Sequence, residues 1–321
     1  MISMRLWWWL IMVLVLVALV VVFWGWVLAS LVTLNLLVPE GSWRPLAWVT
    51  REPLIEKHEV LSSSGKTLQV DVYQPAGKRV ETAMVIYTPL IGGGVEDKRL
   101  VNLAETFARA GLLVAVPGRE GDPLLISSAD TEDIVTTVEW LGNNKEVRSF
   151  GLFGISYGSG PTMAAAVDER IEAEVDFVVS LNGYYDLKNV IDFANSGEAD
   201  LHEYVLEVVQ ANAEAVGVGP KALTASKEFK SLREELSPMS HLGELTGSLF
   251  IIHSKADRFI PYTESLQLNE ARSGGKTDLV LTDVIDHGNY KPMTWNNLWK
   301  FYRPAVVDFT RMVKEMLGEH R

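Results

Sequence analysis

The sequence predicts an α/β fold with a mostly parallel, doubly wound sheet. Two observations carry this. Short apolar runs alternate with helix-period stretches from Thr82 to Leu181 and again from Leu249 to Leu317, the pattern of successive βαβ units. Within that alternation, Gly154-Ile155-Ser156-Tyr157-Gly158 stands where a strand-like run gives way to a small-residue helix, which is the setting of an exposed nucleophile on a tight turn.

In chain order, residues 1–38 come first and hold one charged residue, Arg5. The uncharged run from Leu6 to Val38 is longer than the about 20 residues that cross a bilayer as a helix. Seven of the ten tryptophans, Trp7, Trp8, Trp9, Trp24, Trp26, Trp43 and Trp48, fall in or just after it, as interfacial aromatics do. We read a single N-terminal transmembrane helix from about Trp7 to Trp26, with Val27 to Val38 tilted, interfacial or extending it. The competing reading is a cleaved signal peptide, whose apolar region is normally shorter. Arg5 on one side and Arg44, Arg51 and Lys57 on the other leave the orientation open. Residues 39–53, with Gly41, Pro45 and Pro53, read as a linker, so the folded domain is expected over 54–321.

His58 to Ser63 and Thr67 to Tyr73 alternate around Ser64-Gly65-Lys66 and predict an antiparallel hairpin. Thr82 to Thr88 is a buried strand, followed by a glycine-rich loop. Asp97 to Ala110 is a helix stopped by Gly111. A strand at Leu112 to Val116, a loop to Ser128 and a helix at Thr131 to Leu141 lead to the strand Phe150 to Ile155. The helix Gly160 to Val167 and the strand Phe177 to Leu181 follow. The alternation then breaks: residues 184–245 show only amphipathic helical stretches, Leu201 to Ala215 and Ser226 to Leu236, and predict a helical cap over the strand ends. The sheet resumes at Leu249 to His253, then a helix at Tyr262 to Ala271, a strand at Asp278 to Val284 and a final helix at Trp299 to Leu317.

A serine hydroxyl needs a base, and the base needs a group to hold its tautomer. Asp257 lies just past the strand ending at His253, and His287 just past the last strand. With Ser156 they stand in the order Ser, Asp, His, which belongs to this sheet topology. Asp186, after the preceding strand, is the substitute acid. Of the other histidines, His58 is in an edge hairpin, His202 and His241 are in the insertion, His253 ends a strand and His320 is in the tail.

On these residues the chain resembles the α/β-hydrolase superfamily, in its dienelactone-hydrolase-like and serine-aminopeptidase-like branch. The motifs that carry the resemblance are the G-x-S-x-G turn, His253-Ser-Lys-Ala-Asp257-Arg-Phe-Ile-Pro261 and His287-Gly288, with Ser237-Pro238 ahead of the acid-bearing strand. It spans about Leu54 to Leu317. It implies Ser156 as nucleophile, Asp257 as acid, His287 as base, and an oxyanion hole from the backbone N–H groups of Tyr157 and of a residue in Leu90 to Gly93, with Leu90 selected by alignment. Two features depart from the pattern. The chain has no cysteine, so the thiol chemistry of dienelactone hydrolases does not carry over, and Thr88-Pro89 replaces the His-Gly after the third strand.

Composition narrows the function further. Lys and Arg number 29 against 41 Asp and Glu, a net charge of −12, which disfavours nucleic acid as a partner. Without cysteine there is no disulfide framework or thiolate metal site. Gly65-Lys66-Thr67 and Gly275-Lys276-Thr277 lack the first glycine of a P-loop, and His202-Glu203 is not completed to H-E-x-x-H because position 206 is Leu206. No cofactor or metal is expected. The reading is therefore a membrane-anchored serine hydrolase that cleaves an ester, thioester or amide bond of a small-molecule or lipid-like acyl substrate through an acyl-enzyme, most simply a carboxylesterase. A silent binding or scaffold protein, or an acyltransferase or peptidase on the same triad, is the alternative.

Overall fold

The computed structural model describes residues 7–9, 11–15, 19, 23–37, 44–62, 65–77, 80–88, 94–119, 122–145, 147–196, 203–286, 289–291 and 294–318. In chain order the elements are helix α1 (Trp24–Leu37), the short α2 (Leu46–Val49), strands β1 (Leu54–Leu61), β2 (Thr67–Gln74) and β3 (Thr82–Tyr87), and helix α3 (Lys98–Ala110). They continue with β4 (Leu113–Pro117), α4 (Ala129–Lys145), β5 (Ser149–Ile155), α5 (Ser159–Ala165) and β6 (Val175–Leu181). Helices α6 (Leu187–Ser196), α7 (Glu203–Ala215) and α8 (Lys227–Leu236) precede β7 (Ser248–Ser254), α9 (Tyr262–Ala271) and β8 (Thr277–Thr282). The pair β9 (Ile285–Asp286) and β10 (Asn289–Tyr290), then α10 (Trp295–Asn297) and α11 (Arg303–Gly318), complete the chain.

Eight strands form one sheet in the order β1-β2-β4-β3-β5-β6-β7-β8. β2 runs antiparallel to β1 and β4, and every pair from β4 to β8 is parallel. Period-two alternation sorts the side chains. Met84, Ile86, Phe153, Val179 and Phe250 face a core with α1, α3 and α11, whereas Val85, Leu152, Val178 and Ile251 face one with α4, α5 and α9. Sequence cues set the helix ends: Asp97 caps α3 by accepting from Arg99 N–H, and Gly111 closes it at φ 112°. The predicted C-terminal helix is broken, because residues Leu298–Tyr302 form a π-helical turn before α11. Pro304 has no N–H to return to the carbonyl four residues back, so a regular helix cannot run through that point.

Where the sequence reads the end of an anchor and a linker, the described residues from Trp24 to Val49 pack on the domain. α1 packs along α11 and α3, with Leu28, Ala29, Val32 and Leu37 in the domain core together with Leu46. Burying Leu28, Val32 and Leu37 is worth on the order of 5 kcal/mol before ordering entropy. Asn35 Nδ2 donates to Thr106 Oγ1 at 2.6 Å in a buried contact, and Thr106 Oγ1 donates to Asn102 O. The core thus takes in residues that the sequence assigns to 1–38 and 39–53. Ahead of α1, helical residues Trp7 to Trp9 and Ile11 to Val15 are exposed. Among the described residues no helix is long and apolar enough to cross a membrane.

The cap over 184–245 is α6, α7 and α8 with a 3-10 turn at Pro220–Ala225. It has its own core, in which Leu187, Ile191, Val209 and Phe229 meet Tyr157 and Ile260 from the strand-end loops. The cap therefore packs directly on the nucleophile turn.

Candidate active site

Parallel strands end on one side of a sheet, so the loops after β5, β7 and β8 lie together. β5 and β7 are separated only by β6, about 10 Å at the usual strand spacing. Ser156 follows β5 directly. It sits at φ 56°, the left-handed region that a non-glycine residue enters at a cost of about 1–3 kcal/mol. The turn is over-determined by its packing. A Cβ on Gly154 would stand 2.6 Å from Ser159 Cα and 2.8 Å from Gly158 O, so only glycine lets β5 and α5 approach this closely. Gly158 has an ordinary helical φ of −58°.

Tyr157 is buried, and its side chain ties the turn to a polar network beneath it. Its hydroxyl donates to Asp130 Oδ2 at 2.8 Å and accepts from Ser127 N–H at 3.2 Å. The Tyr87 hydroxyl donates to Asp130 Oδ1 at 2.8 Å, and Arg119 grips the same carboxylate through Nε at 2.6 Å and Nη2 at 3.1 Å. Burial first, and then the Asp130 charge, push both tyrosine hydroxyls well above their ordinary pKa, so they stay protonated donors. Burial opposes the Arg119 charge, but Asp130 outweighs it and the guanidinium is held above its usual value. Sequence reading missed this network, since Arg119 and Asp130 lie in and after a loop with no motif.

Asp257 is in the loop after β7, with its side chain fully buried. Its Oδ1 accepts from the N–H groups of Phe259 at 2.8 Å and Ile260 at 3.0 Å, and its Oδ2 lies 3.6 Å from His253 Nε2. His253 Nε2 is 2.9 Å from Ile260 O, and a carbonyl only accepts, so Nε2 carries the proton and Nδ1 accepts from Ser265 Oγ at 2.6 Å. His253 is thus a strut that shapes the acid loop. Asp186, the substitute acid, is engaged elsewhere: Arg233 Nε and Nη2 donate to its two oxygens at 2.7 and 2.6 Å. Burial raises its pKa, but the Arg233 hydrogen bond more than offsets this and holds it below the ordinary value.

His287 and Leu90 lie outside the described residues. Ile285, two residues before His287, lines the same cavity as Ser156, as does Thr88 at the end of β3. That cavity is about 530 Å³. Leu187, Ile191, Val205 and Val209 of the cap wall it on one side, and side chains of α1, α3 and α11 on the other. Arg99 is its one charged lining residue among those described, and Asp97 neutralises it through paired contacts of 3.0 and 2.8 Å. No group of His, Asp and Glu that could hold a metal ion occurs among the described residues.

The strand order, the antiparallel β2 and the serine turn between β5 and α5 define an α/β-hydrolase fold. Solved structures agree with that class. An acylaminoacyl peptidase in complex with Z-Gly-Gly-Phe-chloromethyl ketone is similar at TM-score 0.60 and 17% identity, over 85% of this chain and 43% of the peptidase. This chain therefore spans less than half of that protein. An esterase of Pyrococcus furiosus is similar at TM-score 0.57 and 15% identity, over 87% of this chain and 96% of the esterase. A hypothetical protein of Pseudomonas aeruginosa follows at TM-score 0.53 and 16% identity, over 88% and 99%. No protein-family model matches the sequence, and no curated protein matches it.

Proposed function

We propose that the protein is a serine hydrolase of carboxylic esters, with Ser156 as nucleophile, His287 as general base and Asp257 as the carboxylate that orients it. The observation that carries this reading is Ser156 itself, held at φ 56° and lining an apolar cavity. A binding protein gains nothing from that strain, whereas a nucleophile needs its Oγ presented.

In the proposed reaction His287 Nε2 takes the Ser156 proton as Oγ bonds to the ester carbonyl carbon. The N–H groups of Tyr157 and Leu90 hold the oxyanion, each worth roughly 3 kcal/mol. Collapse breaks the bond to the alkoxy oxygen, which leaves as the alcohol with the proton from His287. Water then gives His287 a proton and attacks the acyl-enzyme, and the acid departs as Ser156 recovers its own. Asp257 Oδ2 accepts from His287 Nδ1 and stabilises the imidazolium, while Oδ1 stays on the loop N–H groups.

Esters fit better than peptides with a free amino terminus. An ammonium group would need a carboxylate partner when desolvated, and no Asp or Glu lines the cavity among the described residues. Thioesters of the same acyl groups present the same carbonyl and share the mechanism. We also propose that the apolar residues ahead of α1, among them the exposed Trp7, Trp8, Trp9, Leu14 and Phe23, hold the enzyme at a membrane. Retention in the pellet after carbonate extraction tests that part. The chemistry is tested by labelling with a fluorophosphonate probe: wild type labels, and Ser156→Ala and His287→Ala do not. A folded wild type that fails to label would sink the reading.

A further inference from the structure

The cavity does not stop at the strand ends. Past Ser156 it continues between the sheet and the helices of one face, where Leu36, Leu37, Leu103, Phe107, Phe309 and Met312 line it. Two of these six belong to α1, which lies outside the span of resemblance read from the sequence. α1 is held there by a buried hydrogen bond from Asn35 to Thr106, so its inner face is a fixed wall. We infer that this arm is an acyl-chain site, that α1 is part of it, and that the substrates are esters of long unbranched acyl groups. The inference rests on Ser156 being the nucleophile, as proposed above.

The chemistry of the lining decides the class of ligand. The six are apolar. Arg99 and Asn102 of α3 also line the cavity, with Arg99 paired to Asp97. The surface is therefore mainly apolar with one polar spot on α3, rather than the set of convergent polar groups that orients a sugar or a peptide. An alkyl chain needs only area removed from water, and the volume falls within the range of about 300–1,000 Å³ typical of small-molecule sites. Ser156 and residues of α6 and α7 line the same cavity, so in this proposal a chain against α1, α3 and α11 leaves the alcohol portion to lie under α6 and α7. Each methylene moved from water into such a lining favours binding by about fourfold, so selectivity should climb steeply with chain length until the arm is filled.

The test uses the full chain in phosphatidylcholine vesicles with p-nitrophenyl acetate, octanoate and palmitate. The expected kcat/KM for octanoate exceeds that for acetate by at least about tenfold. Leu36→Trp and Leu103→Trp, which place an indole in the arm, should collapse the octanoate-to-acetate ratio by a similar factor. Leu61→Trp, on an exposed position of β1, should leave the ratio unchanged. A second readout does not depend on catalysis: Ser156→Ala should bind the fluorescent fatty acid cis-parinarate, and adding Leu36→Trp should weaken that binding about tenfold. A wild type that labels with fluorophosphonate but prefers acetate, or filled variants that keep the wild-type ratio while folded, overturns the acyl-chain site alone. Absence of labelling overturns the catalytic reading, and the parinarate titration then decides the site by itself.

Discussion

Asp130→Asn tests whether the network under Tyr157 holds the nucleophile turn. Asp130 receives two tyrosine hydroxyls and two Arg119 nitrogens at 2.6–3.1 Å. The Arg119 side chain is only 8% exposed, so removing the carboxylate charge leaves a guanidinium in a buried place with backbone carbonyls but no anion. Breaking a buried pair in this way costs about 3–5 kcal/mol, a large part of the 5–15 kcal/mol, roughly, of a whole domain. Removing both charges, as Arg119→Met with Asp130→Leu, should cost far less than the two single changes together. The expected coupling is at least about 2 kcal/mol. Urea unfolding followed by near-ultraviolet circular dichroism measures it. Fluorophosphonate labelling of the folded Asp130→Asn protein should slow by about tenfold or more, because a displaced Tyr157 N–H no longer meets the oxyanion. A single variant within 1 kcal/mol, roughly, of wild type, or additive losses in the double variant, would refute the reasoning.

Other changes probe the remaining parts. Gly154→Ala drives a Cβ to 2.6 Å from Ser159 Cα and 2.8 Å from Thr162 Oγ1, and thermal unfolding should show a loss of about 2 kcal/mol or more together with loss of labelling. Ser265→Ala removes the donor to His253 Nδ1. It should cost about 1–2 kcal/mol and lower kcat more than it raises KM, since the acid loop loosens and the cavity does not change. Arg233→Met should reveal a pH-dependent contribution. The Asp186 pKa is depressed in the folded state, so its stabilisation is present above the unfolded value of about 3.9 and is lost as pH falls through the folded one. Wild type should exceed the variant by about 1 kcal/mol at pH 7, a figure discounted for the partial exposure of Arg233, and the gap should close in acid. A gap that is constant from pH 7 to pH 3 would show that packing, not charge, sets it.

The parts of the fold legible in the sequence were those with local signals. Strand runs such as Thr82 to Tyr87 are buried throughout and largely apolar because both faces are covered, and Asp97 and Gly111 mark their helix by backbone chemistry. The turn at Ser156 was legible because its close approach demands a glycine, Gly154, two residues before. The contacts that hold the site were not, because they join distant positions by geometry alone. Tyr87, Arg119 and Asp130 meet only once β3, β4 and α4 are assembled. Helix α6, the ten residues Leu187–Ser196, was missed; its cap is the side chain of Asp186, which accepts from Lys188 N–H at 2.9 Å.

α1 shows why hydropathy alone does not separate an anchor from a core helix. Both need apolar side chains around most of the circumference, and Trp24–Leu37 has them. The distinguishing signal is polar and sparse. An asparagine facing lipid is costly, whereas Asn35 here has Thr106 as partner, and Lys314 of α11 sits 4.8 Å over the Trp26 ring. Such groups make sense only against a protein surface that can answer them. The remaining apolar faces of the same helix, at Leu36 and Leu37, then border the cavity that reaches Ser156. One run of hydrophobic residues thus meets two demands, with its early positions left exposed and its late positions turned into the wall of the site.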